Sequence, residues 1–235
     1  MVRYNIISSG SQGNAVILND FVLVDCGVPY KQIAPYVPQL KLVLLTHVHG
    51  DHFCKRTLRR LATERPTLRF GCCRWLVSPL VAAGVPERQI DVLRPRVMYG
   101  YGLCNVIPFE LTHNVPNCGY KVHFRNGKVI YATDTSNLNG VQAIGYDLYL
   151  IEANYTEEDI HRRIKEKRMA GEFAYEEQAL RNHLSAEKCT EFLLKNMRGN
   201  SVSVPMHVHV DKEAPNDSHR ENPSGGGQEA GGIAG

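Results

Sequence analysis

Several signals are missing from this chain, and each absence removes a class of protein. Its 235 residues contain no run of 18 apolar residues, so a membrane span is not expected. The opening Met1-Val2-Arg3-Tyr4 lacks a signal-peptide pattern, which sets the expectation of a protein made and kept in a cytoplasm. Seven cysteines (Cys26, Cys54, Cys72, Cys73, Cys104, Cys118 and Cys189) are odd in number and show no disulfide-framework spacing. Small buried thiols in a reducing compartment are therefore expected. Net charge is only +3, too weak to argue for nucleic acid by itself. There is no P-loop and no repeat at fixed period, which removes the common phosphate cradle and the solenoids.

What is present reads as one globular domain. Hydrophobic content of 43% and charged content of 22% are ordinary for such a chain, and the length suffices for a large core. Short apolar runs predict strands over 2–7, 15–18, 21–25, 42–45, 67–72, 90–93, 104–107, 119–124, 128–132, 147–152 and 202–209. Helices are predicted over 29–37, 55–64, 75–83 and 186–197, with another opening at the cap Thr156. Its basic part, Arg162, Arg163, Lys165, Lys167 and Arg168, reads as a solvated face or as a phosphate-backbone contact. Residues 1–212 form the expected domain. The stretch 213–235 is rich in Gly, Pro, Ser, Asn and Glu, so a disordered tail is expected.

One stretch organises the rest. Thr46-His47-Val48-His49-Gly50-Asp51-His52 leaves the apolar run Leu42-Val43-Leu44-Leu45. Alternation places His47 and His49 on one side of extended chain. A turn at Gly50, read as needing a backbone that a side chain would hinder, brings Asp51 and His52 to the same point. Neutral imidazoles and a carboxylate suit zinc or a similar divalent ion at about 2.0–2.2 Å per ligand.

His47-x-His49-x-Asp51-His52 resembles the signature of the metallo-β-lactamase fold superfamily. The resemblance covers most of residues 1–212. It implies an α/β fold, an αββα sandwich of two mixed β-sheets flanked by helices. It also implies two divalent metal ions, zinc first and manganese as the alternative, with later single ligands. These fall on His113 in Thr112-His113-Asn114, on Asp134 in Thr133-Asp134-Thr135, and on His207 in Pro205-Met206-His207. His47, His49 and His113 would hold one ion, Asp51, His52 and His207 the other, and Asp134 would bridge. Asp134 has an alternative as N-cap of a helical turn over 135–138. His209 is a second candidate for the last ligand.

The resemblance further places the loop Ser8-Ser9-Gly10-Ser11-Gln12-Gly13-Asn14 beside the metals, where Ser9, Ser11 and Asn14 would meet an anionic substrate; the alternative is a simple turn. Asp25 in Val24-Asp25-Cys26-Gly27 would orient ligands from behind, or form an Asx turn. His123, inside a predicted strand, reads as structural. The element Asn182-His183-Leu184-Ser185 is similar to one in ribonuclease Z and its phosphodiesterase relatives, whose His protonates the leaving group. Asp51 and His183 are thus the expected catalytic residues, acting with a water activated between the metals.

That branch includes phage proteins that hydrolyse cyclic nucleotides to silence a host defence signal. No long Gly/Pro-rich insertion is present of the kind that grips tRNA in ribonuclease Z. With the low net charge, this favours a small phosphorylated substrate, a cyclic mononucleotide, over nucleic acid. A DNA or RNA nuclease is the second reading, and a metal-stabilised module that sequesters a nucleotide the third. Relatives often dimerise, so a homodimer is expected.

Overall fold

The computed structural model describes residues 1–208. Six strands form the first sheet in chain order: β1 (Tyr4–Ser8), β2 (Ala15–Leu18), β3 (Val22–Val24), β4 (Leu42–Leu45), β5 (Arg69–Cys73) and β6 (Ile90–Leu93). The second sheet contains β7 (Tyr99–Gly100), β8 (Cys104–Leu111), β9 (Asn117–Phe124), β10 (Gly127–Ala132), β11 (Leu148–Glu152) and β12 (Val202–Met206), in the order β12-β11-β10-β9-β8-β7. Both sheets are mixed. Strands β1 to β3 are antiparallel and β3 to β6 parallel. Strands β7 to β10 are antiparallel, and β10, β11 and β12 parallel.

Period-two alternation assigns each strand residue to a layer. In β4, Leu42 and Leu44 point between the sheets, where they join Val106, Tyr120, Val122, Val129 and Leu150. Val43 and Leu45 point outward to the helices α1 (Tyr30–Ile33), α2 (Lys55–Glu64) and α3 (Val77–Ala82), through Ile33, Leu58, Leu61 and Leu80. In β10, Val129 and Tyr131 face the inner layer, while Ile130 and Ala132 face α6 (Ala186–Asn196) through Cys189 and Phe192. The result is the αββα sandwich. Each fully buried Leu or Val contributes about 1.5–3 kcal/mol of transfer free energy. The remaining helices, α4 (Glu157–Met169) and α5 (Glu176–Asn182), share a small cluster of Ile160, Ile164 and Ala174. No helix among the described residues is long and apolar enough to cross a membrane.

Several local expectations change. No helix follows Asp134, so the capping role has nothing to cap. Strand β8 runs on to Leu111 because β9 pairs it as far as Leu111 opposite Asn117. The helix read over 29–37, with a break at Pro35, is Tyr30–Ile33 and stops ahead of that proline. The 75–83 helix begins as a 3-10 turn, Arg74–Leu76, before α3. Helix α5 was not anticipated; it has no fully buried residue and hence no periodic apolar signal. The last strand stops at Met206. His209 and the stretch 213–235 lie outside the described residues. All seven cysteines are free, six of them buried.

The glycine that the metal loop needs is Gly27 rather than Gly50. A Cβ on Gly50 would meet nothing within 4 Å, and its backbone is not left-handed. A Cβ on Gly27 would lie 1.7 Å from the Asp51 carbonyl oxygen. Backbone cannot yield as a side chain can. Gly27→Ala should therefore lower unfolding stability by about 1–3 kcal/mol, in the range of overpacking, and weaken metal retention. Gly50→Ala should stay within about 0.5 kcal/mol of the parent. Denaturant melts with metal analysis check both; equal behaviour of the two variants would refute the assignment.

Candidate metal centre

Parallel strands end on one edge of a sheet, and side chains collect there. Asp25 leaves β3, residues 46–52 leave β4, Asp134 follows β10, Glu152 ends β11 and His207 follows β12. His113 sits in the turn after β8, and His183 between α5 and α6. Three of these exits turn through left-handed backbone at non-glycine residues: Asp25 (φ +58°), Asp134 (φ +56°) and His207 (φ +51°). Such conformations cost on the order of 1–3 kcal/mol each and persist only where surroundings enforce them.

The imidazoles converge in overlapping groups: His47 belongs both to a cluster with His49 and His113 and to one with His52 and Asp134, and Asp134 also lies with His207. His47 Nε2 lies 3.2 Å from His49 Nδ1, which lies 3.3 Å from His113 Nε2. His52 Nε2 is 2.7 Å from Asp134 Oδ2, and His207 Nδ1 is 3.2 Å from Asp134 Oδ1. Ligand atoms of His47, His49 and His113 fall within 4.8 Å of one another, as do those of His47, His52 and Asp134. Asp51 Oδ2 is 3.5 Å from His52 Nε2. Four of the expected metal ligands, His47, His52, Asp134 and His207, are buried, and the others are half-buried.

Carboxylates behind the cluster aim its rings. Asp25 accepts from the Thr46 N–H (3.0 Å), the Thr46 hydroxyl (2.9 Å) and the Tyr131 hydroxyl (3.0 Å), and contacts His52 Nδ1 at 2.6 Å. That leaves His52 Nε2 toward Asp134. His113 Nδ1 lies 3.0 Å from the Asn182 carbonyl, which turns its Nε2 to the cluster. Fixing one ring nitrogen in this way sets the tautomer presented by the other.

Sequence reasoning missed Glu152. It is fully buried and accepts from Thr135 N–H (2.8 Å) and Leu184 N–H (3.2 Å). Its Oε1 lies 2.6 Å from His183 Nδ1 and 3.2 Å from His207 Nδ1. Asp134, Glu152, His183 and His207 form a further group close enough to share an ion. The available signal was an acid ending the otherwise apolar run Leu148-Tyr149-Leu150-Ile151, the position held by Asp134 after β10.

The Ser/Gly loop does lie against the cluster, with its residues differently employed. The buried Asn14 side chain clasps Gly10 and lies 2.8 Å from His52 Nε2. Ser9 Oγ accepts from His207 N–H at 2.7 Å. Ser11 lines a cleft of about 700 Å³ together with His49, Asp51, His113, Asp134, His183 and His207. His123 is remote in β9 and bonds the Tyr146 hydroxyl at 2.7 Å.

Protonation follows these surroundings. Burial, aided by His52, pushes His47 down to about 2, which keeps the ring neutral as a metal ligand requires. Burial also lowers His113. For His207, burial acts downward, but hydrogen bonds to Asp134 and Glu152 outweigh it and raise the ring to about 10. His52 is likewise raised, by Asp134 and Asp25 against burial. Those two rings hold Asp134 well below the usual carboxylate range despite its burial. Imidazoles and carboxylates converging from several elements fit divalent cations once His52 and His207 give up their protons.

The comparisons agree. Residues 21–208 match the model of the beta-lactamase superfamily domain, and the chain belongs to that family. Its members are mostly metal-dependent hydrolases with two-metal sites. No curated protein matches the sequence. Among solved structures, the metallo-beta-lactamase fold protein YhfI from Bacillus subtilis superposes with a TM-score of 0.68 at 14% identity, covering 88% of this chain and 86% of its own. The short form of human tRNase Z (ELAC1) gives 0.62 at 16%, covering 88% and 92%. Zinc-bound PqqB from Methylobacterium extorquens gives 0.59 at 12%, covering 88% and 89%.

Two predictions follow from the ligand set and its protons. Protein loaded with zinc should hold about two ions per chain by elemental analysis, and Asp134→Ala should reduce that content. Loading the metal-free protein at neutral pH should release about two protons, from His52 and His207, whose raised values keep them charged until an ion displaces the proton. Apparent metal affinity should then rise with pH. Calorimetry in buffers of different ionisation enthalpy reads the proton count; no release would contradict the ligand roles of both rings.

Proposed function

We propose that this chain is a two-metal phosphodiesterase that hydrolyses cyclic mononucleotides. The observation that carries the reaction is His183, held by the buried Glu152 carboxylate at 2.6 Å and opening on the cleft that the ligands line. Phosphodiester hydrolysis expels an alkoxide, which leaves poorly unless protonated as it departs. With Nδ1 engaged by Glu152, Nε2 of His183 is the atom from which a proton passes to the departing oxygen.

His47, His49 and His113 would hold one ion and Asp51, His52 and His207 the other, with Asp134 between them. When bound, the pair supplies a water of lowered pKa and positive charge for the transition state at phosphorus. Asp25 and Glu152 keep the rings oriented, and Asn14 and Ser9 hold the Ser/Gly loop against the centre. The Gly10, Gly13 and Asn14 N–H groups are engaged within the protein, so Ser11, at the cleft, would be the loop's contact to an anionic substrate.

Charge pairing supports a small substrate over a nucleic acid. Arg162 and Arg163 of α4 pair with Asp159, Lys167 with Glu176 and Arg168 with Glu177. With four of its five cations matched in this way, Lys165 being the fifth, the face offers few charges to a phosphate backbone.

A hydrolysis panel tests the reading: cyclic mononucleotides, cyclic dinucleotides, single-stranded DNA and pre-tRNA, each with zinc, manganese or chelator. Cyclic mononucleotides should be opened, with chelator abolishing turnover. Activity confined to DNA or pre-tRNA would replace the substrate, and no activity would overturn the reaction. His183→Ala should slow turnover about 10²–10⁴-fold, the range of a positioned general acid. Its metal content should be unchanged, and the loss should shrink on a nitrophenyl phosphodiester, whose leaving group departs without a proton. Loss of an ion from that variant would make His183 a ligand instead.

A further inference from the structure

Beside the cleft lies a second cavity of about 510 Å³, within the size range of small-molecule sites. Its walls include Tyr155, Thr156, Ile160, Arg163, Tyr175 and Ala186, from the β11–α4 connection, α4, the start of α5 and the start of α6. Asn154, Tyr175, Ala179 and Val208 line both spaces, so the two adjoin. Asn154 stands at the junction. Its side chain donates to the His207 carbonyl at 2.8 Å, and its N–H donates to the Leu184 carbonyl at 2.9 Å. A molecule reacting at the centre therefore has a neighbouring space for the part that does not react.

We propose that this cavity receives the nucleobase of the substrate; the proposal rests on the phosphodiesterase reading and adds the subsite that reads the base. Its chemistry is mixed in the way a base requires. Ile160 and Ala186 supply apolar wall, and the exposed Tyr175 ring, packed edge-to-face against Phe173 at 4.8 Å, supplies an aromatic surface on which a base stacks. Arg163 and Asp159, whose charges cancel in an ion pair at 2.7 Å, place polar atoms in the same wall, a setting that suits the uncharged polar edge of a base better than an anion. A simple alkyl or aryl group would have no use for that pair.

Free nucleosides test the subsite without hydrolysis, because they carry no phosphate for the metal centre. Adenosine, uridine and, as a ring without a base edge, phenol are titrated into the zinc-loaded chain by ligand-observed NMR. At least one nucleoside should bind saturably and more tightly than phenol. Tyr175→Ala should weaken it about tenfold or more, and Ala186→Leu, which fills the cavity, should do the same. Metal content and melting temperature report whether each variant is folded; Tyr175 is 68% exposed, so its variant keeps the test available if Ala186→Leu does not fold. No nucleoside binding, binding equal to that of phenol, or binding indifferent to Tyr175→Ala would each overturn the subsite. Nucleoside binding that responds to the variants, in a chain inactive on every phosphodiester, would remove the reaction and leave the cavity as a nucleoside site.

Discussion

Everything at this site depends on a buried carboxylate that must be satisfied. Asp25 is fully enclosed, and an ionised carboxylate there is tolerated only with donors on its oxygens. Thr46 at the exit of β4, His52 in the metal loop and Tyr131 of β10 contact it together. Hydrogen bonds to a charged group contribute about 1.5–3 kcal/mol each. Asp25 thus ties both sheets to one ring nitrogen, and the direction in which His52 points is settled by how the sandwich closes.

Glu152 repeats the device on the other sheet. It accepts from the backbone after Asp134 and before Ser185, and it contacts both His183 and His207. One carboxylate thereby connects a ring of the candidate metal centre to the ring proposed for proton transfer. Strained backbone at Asp25, Asp134 and His207 is consistent with this: three short turns are forced at the places where strands must hand a side chain to a common point. The fold spends conformational strain on convergence and recovers it through the inner layer, where Leu42, Leu44, Tyr120 and Leu150 are buried.

How much was legible in the sequence depends on the range of the signal. Strands β2, β4 and β6 and helix α2 were readable to the residue, because each carries a local apolar period or a clear stop. The cluster His47 to His52 was visible as well, because its candidate ligands are neighbours in the chain. The absent helix after Asp134 reflects a distant contact, the bond from Thr135 N–H to Glu152, whereas α5 went unread because none of its residues is buried and no apolar period marks it. Gly50 invited attention by lying inside the motif, whereas the close approach that requires a glycine occurs at Gly27, 24 residues before Asp51.

The sequence by itself determined the family of fold, the run of four candidate ligands after β4 and the candidates Asp25, His113, Asp134, His183 and His207, since residue type and local spacing are written in it. Only the tertiary structure decided which nitrogen His52 and His113 present, that Glu152 stands behind His183 and His207, and that Arg162, Arg163, Lys167 and Arg168 of α4 are matched by acids from its own helix and from α5. It also decided that a second cavity adjoins the cleft. These features arise where strands 20 to 200 residues apart end on one edge, and distance along the chain carries no information about such meetings until the two sheets have packed.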